Sequence, residues 1–574
     1  MINLTSLIII PILFTGIILF ISSNNKFNFR LIETNSLKHI TLLEENKYIL
    51  PYVLRRYYSQ IVKVTSNLFP SLFNTSFWLE NTDWKKEKEG KLKKEYITQV
   101  FKKIGLILSL VLYLLIVLFW LKYSRTTINY QLLTETESKN ESWNLNITLG
   151  LDGVSLPFVL LVGFVMPIVY LSNWTTIDSL DEYYVILIIL LELFLIVVFL
   201  VIDLIMFYVF FESTLPLLFI LIGLYGASQK FRAGYYLFLY TLFGSLFMLV
   251  SFVKMGGDTA TTYFDGYGNR NIYQLLQEII WIVLFVSFSV KTPLVPVHIW
   301  LPLAHSDANV SGSIILASIV LKLALYAFLR ILIGIFAFAT LNLIPFFFGL
   351  CSLSILYSSF TTIRQFDLKV LVAYSSIAHM ASSLLGTFSD TLYGLVGSVV
   401  FGLAHGFVSP GLFILVGAVL YDRCGSRIIN YYKGLTNILP FFAFLFLLFV
   451  FGNMGVPLTG NFIGEFLSLL GAYQQNIFIA SIGATSVILS AVYSIFMYNR
   501  VTGGSLSPYI HTIPDIFRKE FYILLPLLIL TIILGIYPYF ITSEIEFGLS
   551  SLLLIFPAFV LFNHGEKKGY NFVT

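Results

Sequence analysis

Residues Asp203–Gly223 read DLIMFYVFFESTLPLLFILIG, an apolar stretch of membrane-spanning length with one carboxylate, Glu212, near its middle. An ionisable side chain at bilayer depth costs about 2.5 to 3.5 kcal/mol on insertion scales. Other apolar stretches of the chain repeat this arrangement with Lys291, Lys322, His379, His405 and Glu465. Several such residues on successive membrane helices indicate a path for protons or ions across the membrane.

The composition places the whole chain in the membrane class. Hydrophobic residues make up 57% of its 574 residues, charged residues only 11%, and the mean hydropathy is +0.85. A soluble domain carries about 25% charged residues. The sequence therefore predicts an all-α integral membrane protein.

Apolar windows of about twenty residues predict about fourteen transmembrane helices. The windows lie near 3–22, 104–122, 152–172, 183–201, 203–223, 234–254, 275–299, 310–331, 343–363, 368–386, 392–420, 438–472, 477–499 and 521–541. A further run, Gly548–Phe562, contains Pro557 and is either an extra crossing or a segment in the membrane interface.

Basic residues of the short loops predict the orientation, because Lys and Arg collect on the non-translocated side of a membrane. With the N-terminus outside, the inside loops hold Lys230, Arg232, Arg364, Lys369, Arg423, Arg427, Lys433, Arg500, Arg518 and Lys519. The outside connections hold fewer basic residues. Lys567 and Lys568 near the end favour the inside, and so favour the extra crossing.

The segment 24–102 is too polar to cross the bilayer and too long for an ordinary connection. It includes the basic cluster WKKEKEGKLKKEY at 84–96. We expect an inserted extramembrane segment on the inside face. It is either a solvated loop or a surface that contacts a neighbouring subunit.

Prolines and glycines interrupt three of the predicted spans. Pro216 follows Glu212 by one helical turn, Pro293 follows Lys291 by two residues, and Gly455, Pro457 and Gly460 precede Glu465. Unpaired backbone at membrane depth is tolerated only inside protein or beside a hydrated cavity. The breaks therefore predict discontinuous helices 7 and 12 beside the ionisable residues.

The two discontinuous helices lie five spans apart, a pattern typical of transporters with inverted repeats. The sequence predicts two inverted five-helix repeats. The expected organisation is a first helix at 1–23, the insert at 24–102, helices 2 and 3 at 103–180, repeats at 181–333 and 334–500, and a last helix with its tail at 501–574.

Each buried charge has a structural alternative. Lys254 and Arg330 lie at helix ends, where long side chains reach the interface and act as anchors. Lys322 lies about twelve residues into its span and is expected to be functional, with a structural ion pair as the alternative. His379 and His405 could be core histidines instead. His298 and His305 lie nearer a helix end and are weaker candidates.

No cofactor is expected on this chain. Cys351 and Cys424 have no partner at metal-ligand spacing, whereas an iron–sulfur cluster needs about four thiolates. No glycine-rich dinucleotide motif follows a predicted strand. The start, MINLTSLIII, lacks the features of a transit peptide or secretory signal, so a mitochondrial origin implies synthesis inside the organelle.

Four stretches carry a resemblance to a known family. They are FFESTLPLLFILIGLYGASQKFRAGYYLFLYTLFGS from 210, VKTPLVPVHIWLPLAHSDANVSGSIILASIVLKLALYAFLRI from 290, RQFDLKVLVAYSSIAHM from 364 and NFIGEF from 461. The chain resembles the NADH–ubiquinone oxidoreductase chain 4 family over Gly150–Phe540. That family supplies a proton-pumping membrane subunit of respiratory complex I, related to chains 2 and 5 and to Mrp-type cation/proton antiporters.

The resemblance implies a role for each buried residue. Glu212 matches the carboxylate of the fifth helix and Lys291 its partner on the discontinuous seventh. Lys322 matches the connecting lysine of the eighth helix, and His379 and His405 match residues of the central hydrophilic axis. Glu465 matches the acidic residue of the broken twelfth helix, where chains 2 and 5 usually carry lysine.

The resemblance also implies the surroundings of the chain. Its partners are other complex I membrane subunits, including chains 2 and 5, and membrane lipid, with no nucleic acid. FMN, iron–sulfur clusters and ubiquinone belong to other parts of the complex. The location is the mitochondrial inner membrane, with an organelle gene.

The expected mechanism is proton transfer driven by quinone reduction elsewhere in the complex. Low dielectric favours neutral lysine and glutamate, whereas mutual proximity favours the charged pair, so charge motion next door changes proton affinity. Protons are expected to load Lys291 beside Glu212, pass Lys322 and the histidines, and leave by Glu465. The alternatives are a stand-alone Mrp-type antiporter subunit and a scaffold whose charges only lock helices together.

Overall fold

The structure of the protein is a computed structural model that describes residues 4–16, 18, 86–125, 129–135, 147–174, 176, 181–259, 262–264, 274–510 and 513–550. The predictions for 24–85, for the run 551–562 and for the two tail lysines lie outside these residues. Residues Met1–Leu13 and Lys102–Thr574 form one compact unit, and Phe14–Phe101 form a second. In the second unit the structure describes 14–16, 18 and the helical stretch 86–101.

The described part of the chain consists almost entirely of helices, as the sequence predicts. The helices up to the first break are α1 (Thr5–Gly16), α2 (Lys86–Lys122), α3 (Ser155–Ser172), α4 (Asp181–Leu200), α5 (Leu204–Tyr225), α6 (Lys230–Thr259) and α7 (Gln274–Lys291). The helices that follow are α8 (Trp300–Asp307), α9 (Val310–Ile333), α10 (Ala337–Ile363), α11 (Leu368–Thr387), α12 (Leu392–Cys424), α13 (Pro440–Met454), α14 (Gly460–Gln475), α15 (Ile477–Thr502) and α16 (Arg518–Ile536).

Among the described residues, 12 helices are long and apolar enough to cross a membrane. Two shorter apolar helices, α1 and α13, add to them. The all-α membrane class is confirmed. The count of fourteen crossings, the two inverted repeats and the domain boundaries stay predictions.

A short antiparallel hairpin is the exception to the all-α architecture. Strands β1 (Gln131–Glu135) and β2 (Thr148–Leu151) pair between α2 and α3. Asp152 follows β2 directly and forms an ion pair with Arg330 in the last turn of α9. Arg330 is therefore more than the interfacial anchor that its position at a helix end indicates.

Both predicted discontinuous helices are interrupted, and a side chain beyond each break satisfies a backbone carbonyl before it. Helix α7 ends at Lys291, and the Nε1 of Trp300 donates to the Val290 carbonyl at 2.7 Å. Helix α13 ends before Gly455, whose φ is +69°, and the Asn461 side chain donates to the Gly452 carbonyl at 2.9 Å. The freed polar groups are thus paired inside the protein, as backbone at membrane depth requires.

The third predicted break is wrong, because α5 runs from Leu204 to Tyr225 with Pro216 inside it. A proline removes one backbone donor and clashes with the carbonyl four residues earlier, but it bends a helix more often than it ends it. Asp203 caps the start of α5 by accepting from the backbone of Ile205 and Met206. The helix therefore carries Glu212 on a continuous backbone.

Three helices form the centre of the bundle. Nearly all of α9, α11 and α12 is buried inside the protein, with 94%, 89% and 100% of the residues in their most apolar windows covered. In α2, α15 and α16, which lie at the periphery, only 33% of the residues in the corresponding windows are buried. Helix α9 contains π-helical turns at Leu316–Val320 and Phe328–Ile333, and α12 contains one at Ile414–Tyr421. Such turns are frequent at functional sites.

Candidate functional site

Glu212 and Lys291, which we call the first pair, face each other from α5 and α7. Lys291 is only 2% exposed, and its Nζ donates to the Phe211 carbonyl at 3.2 Å. The same ammonium lies 3.4 Å from the centre of the Phe211 ring. The two charged groups interact electrostatically, but within the described chain no direct ion pair joins them. One carboxylate oxygen of Glu212 is buried without a hydrogen-bond partner in the same region.

Lys322 lies at the centre of the bundle, where its side chain is completely buried. Its Nζ donates to the Ala317 carbonyl at 2.7 Å, across the first π-helical turn of α9. The same atom is 2.8 Å from Nδ1 of His405 on α12. The helical irregularity therefore supplies a carbonyl for the lysine, while the imidazole supplies a group that can exchange a proton with it.

The next residues extend this contact across α11 and α15. The rings of His405 and His379 lie 5.7 Å apart between their centres. Nε2 of His379 is 3.4 Å from the hydroxyl of Tyr493, which is fully buried on α15. Asn453, in the last turn of α13, also lies beside His379.

Glu465 completes the group from α14, five residues after that helix begins. Its Oε1 accepts a hydrogen bond from the Ser486 hydroxyl at 2.8 Å, and the residue is 3% exposed. Tyr493 lies close enough to Glu465 to interact with its charge. We call Lys322, His405, His379, Tyr493 and Glu465 the second row.

The structure buries five of the six predicted residues and leaves Glu212 half-buried, and the six fall into two groups. The second row has a contact or close approach at each step. Within the described residues no hydrogen bond joins Lys291 to Lys322, so the first pair and the second row are separate. Proton transfer between two buried groups needs direct contact or one intervening water.

Sequence reasoning missed three polar residues of this region. Tyr493 and Asn453 gave no signal, because a tyrosine or an asparagine near a helix end is ordinary in a membrane protein. Glu192 gave a clear one, since it lies in the middle of the apolar helix α4. It is fully buried, and neither carboxylate oxygen has a partner among the described residues.

The described residues contain no group of three or more His, Cys, Asp or Glu that could hold a metal ion. Cys351 is buried in α10 and Cys424 is half-buried at the end of α12, and the two form no disulfide. The two groups of the site supply carboxyl, amine, imidazole and hydroxyl groups, all of which can exchange protons.

Comparison with protein families gives a match over half of the chain. The family described as "NADH:quinone oxidoreductase/Mrp antiporter, TM" matches residues 201–490, which include every residue of the two groups except Tyr493. Among curated proteins, the NADH-ubiquinone oxidoreductase chain 4 of Mycosarcoma maydis is 44% identical over 453 residues. That alignment covers 79% of this chain and 93% of the relative.

Two solved structures from different kinds of assembly have the same fold. A chain of respiratory complex I from Thermus thermophilus with bound NADH has a TM-score of 0.72 and 26% identity, covering 81% of this chain and 99% of that one. A chain of the Mrp complex from Dietzia has a TM-score of 0.67 at 17% identity, covering 80% and 98%. The second likeness shows the fold alone.

Proposed function

Since this chain belongs to the NADH-ubiquinone oxidoreductase chain 4 family, we propose that protons cross it through the first pair and the second row. The chain is a proton-translocating membrane subunit of complex I and a multi-pass protein of the mitochondrial inner membrane. Our proposal concerns which of its residues carry the protons. The observation that supports them most is the 2.8 Å contact between Lys322 and His405, at the head of the second row.

The first pair is proposed to load the proton. Lys291 is the last residue of α7, immediately before the break, and it is buried. Without a direct ion pair, small movements of Glu212 change the field at Lys291 considerably, because electrostatic interaction is strong in a low-dielectric interior. A charge change at Glu212 can therefore drive Lys291 between its protonated and neutral forms.

The second row is proposed to carry the proton towards the outside. Lys322 gives a proton to Nδ1 of His405, and His379 passes it to Tyr493 and Glu465. Histidine accepts on one nitrogen and donates from the other, so each imidazole can relay a proton without net change. Glu465, after the break between α13 and α14, is the proposed point of release.

The rest of the complex supplies the energy for proton transfer and the subunits that neighbour this chain. We propose that chains 2 and 5 and membrane lipid are its neighbours, and that FMN, iron–sulfur clusters and ubiquinone are bound by other subunits. The segment 24–102, of which 24–85 lie outside the described residues, is proposed to contact other subunits on the matrix side. We also propose that an organelle gene encodes this chain.

The proposal is tested by Glu212→Gln and Lys291→Met in assembled complex, with Lys254→Met as the matched control. Lys254 is an exposed lysine on α6. We expect the first two variants to lower NADH-driven proton pumping about ten-fold or more, since each removes a charge of the loading step. Normal pumping in both would exclude the first pair from the path, and the buried charges would then be a scaffold.

A stand-alone Mrp-type antiporter is the alternative function. Its support is a shared fold at low identity, whereas the chain 4 relative covers 79% of this chain. Purification separates the two: a complex I subunit co-purifies with flavin- and iron–sulfur-containing subunits. An antiporter exchanges sodium or potassium for protons in vesicles that lack them.

A further inference from the structure

His305 lies in the last turn of α8, and the proposed function does not use it. It is 0% exposed, and its ring stacks on Phe413 with 4.6 Å between ring centres and 11° between the planes. Neither ring nitrogen has a hydrogen-bond partner within the part of the chain that the structure describes. Buried polar side chains almost always have a partner, in protein or in ordered water. The stacking explains the position of the ring but leaves its nitrogens unexplained.

The charged groups around His305 lie on two sides of it. Lys322 and His405 of the second row interact with it electrostatically, and so does Lys369 from α11. Lys369 is 3% exposed, and its Nζ donates to the Ala308 carbonyl at 3.1 Å. Along α12, His405 contacts Lys322, Phe413 stacks on His305, and Gly417 lies beside Lys369, so His305 lies between the two lysines.

A charged cluster continues from Lys369 to the surface that the basic loops assign to the inside. Arg427 approaches Asp307 at 3.8 Å and Asp367 at 3.4 Å, and it donates to the Ser306 carbonyl. Asp422, at the end of α12, also interacts with Lys369. These groups join the ends of α8, α11 and α12. A mixed cluster of carboxylates and cations at a helix end can collect protons from water.

From this arrangement we propose that Lys322 receives protons directly from the inside through His305, along a path that does not use Lys291. The inference rests on the proposed function of the second row and adds a separate supply that joins it at Lys322. It assigns His305 as a proton-transfer residue, and the cluster of Asp307, Asp367, Lys369, Asp422 and Arg427 as the uptake surface.

The proton balance of the path is simple. A proton from inside water reaches the cluster at the Asp307 carboxylate and passes through water to one nitrogen of His305. The other nitrogen releases its proton through water to neutral Lys322, which becomes the ammonium. The imidazole is then neutral again but in the other tautomer, and proton exchange with water restores the starting tautomer, so only N–H and O–H bonds form and break.

Two substitutions separate proton transfer from packing. His305→Phe keeps an aromatic ring on Phe413 and removes both nitrogens, whereas Phe413→Leu removes the stacking and keeps the imidazole. In assembled complex reconstituted in vesicles, we expect His305→Phe to lower NADH-driven pumping by about a tenth, the share that Lys291→Met retains, because the Lys291 supply remains. Phe413→Leu is expected to pump as the wild type does. NADH oxidation by a water-soluble acceptor checks that each complex is intact.

Two further measurements identify the path as a separate supply from the inside. Adding His305→Phe to Lys291→Met should remove the pumping that Lys291→Met retains. Raising the pH of the inside buffer should slow Lys291→Met, which depends on the His305 path, more than it slows His305→Phe.

Unchanged pumping by His305→Phe, or an equal loss in Phe413→Leu, overturns the inference. So does a double variant that pumps as well as Lys291→Met alone. These results leave the proposed function intact, which fails only if the first-pair variants themselves pump normally.

Discussion

The two breaks in the bundle are built alike but hold their ionisable residues differently. Lys291 lies before the break between α7 and α8, and its only described hydrogen bond is to a backbone carbonyl. Glu465 lies after the break between α13 and α14 and accepts a hydrogen bond from Ser486. Lys291 can therefore respond to the charge of Glu212, whereas Glu465 is held by the hydrogen bond from Ser486.

This difference indicates a division of labour. A pair without a direct contact changes its protonation when its surroundings change, because neither charge is fixed by the other. A contiguous row instead transmits a proton once one has arrived. The variants below remove single residues of the second row or test how a single buried group responds to its surroundings.

The largest effect is expected from Lys322→Met, which removes the head of the second row. The row loses the amine that exchanges a proton with His405, and α9 keeps a side chain of similar length. Proton pumping by assembled complex should fall about ten-fold or more. The control is Lys433→Met, at an exposed lysine between α12 and α13, and this variant should pump normally. A functional Lys322→Met complex would show that the row is only structural.

A smaller and graded effect is expected at Glu465. Glu465→Gln keeps the hydrogen bond to Ser486 but cannot titrate, so it should slow turnover about ten-fold. Glu465→Asp keeps a titratable carboxyl on a shorter side chain and should retain part of the activity. Protons pumped per electron pair, with infrared detection of a carboxyl signal during turnover, measure both. If the two variants are equally inactive, a fixed partner role is the better account.

Tyr493→Phe tests the step that the sequence did not reveal. The variant keeps the buried ring on α15 and removes only the hydroxyl that lies 3.4 Å from His379. We expect a loss of about three-fold in pumping, since water can replace one hydroxyl in a relay. Tyr473→Phe, at an exposed tyrosine of α14, is the control. Equal rates in both would place Tyr493 outside the row.

The smallest effect is expected at Asp390, in the loop between α11 and α12. Burial raises the pKa of this carboxyl from 3.8 to about 6. The folded protein therefore favours its protonated form, and the stability that this group contributes is lost as the pH rises from about 4 through about 6. Asp390→Asn should raise the thermal midpoint of the assembled complex at pH 7.5 and leave it unchanged near pH 4. An equal shift at both pH values would contradict this origin.

The sequence predicted most of the fold because its signals are local. Apolar length sets the spans, and the glycines and prolines at 293–296 and 455–460 mark the two breaks, since only these residues disturb helical backbone so strongly. The same reasoning failed at Pro216, because one missing donor inside a packed helix is tolerated. It also gave no sign of the β1–β2 hairpin.

By itself, the sequence determined that this protein is a bundle of membrane helices with ionisable residues at bilayer depth. Hydrophobic length and the cost of a buried charge are properties of single segments, so both can be read along the chain. Tertiary structure alone decided which charges meet. Lys322 contacts His405 across 83 positions, and Tyr493 reaches His379 across 114. Such contacts arise from how separate helices pack, and no local pattern encodes them.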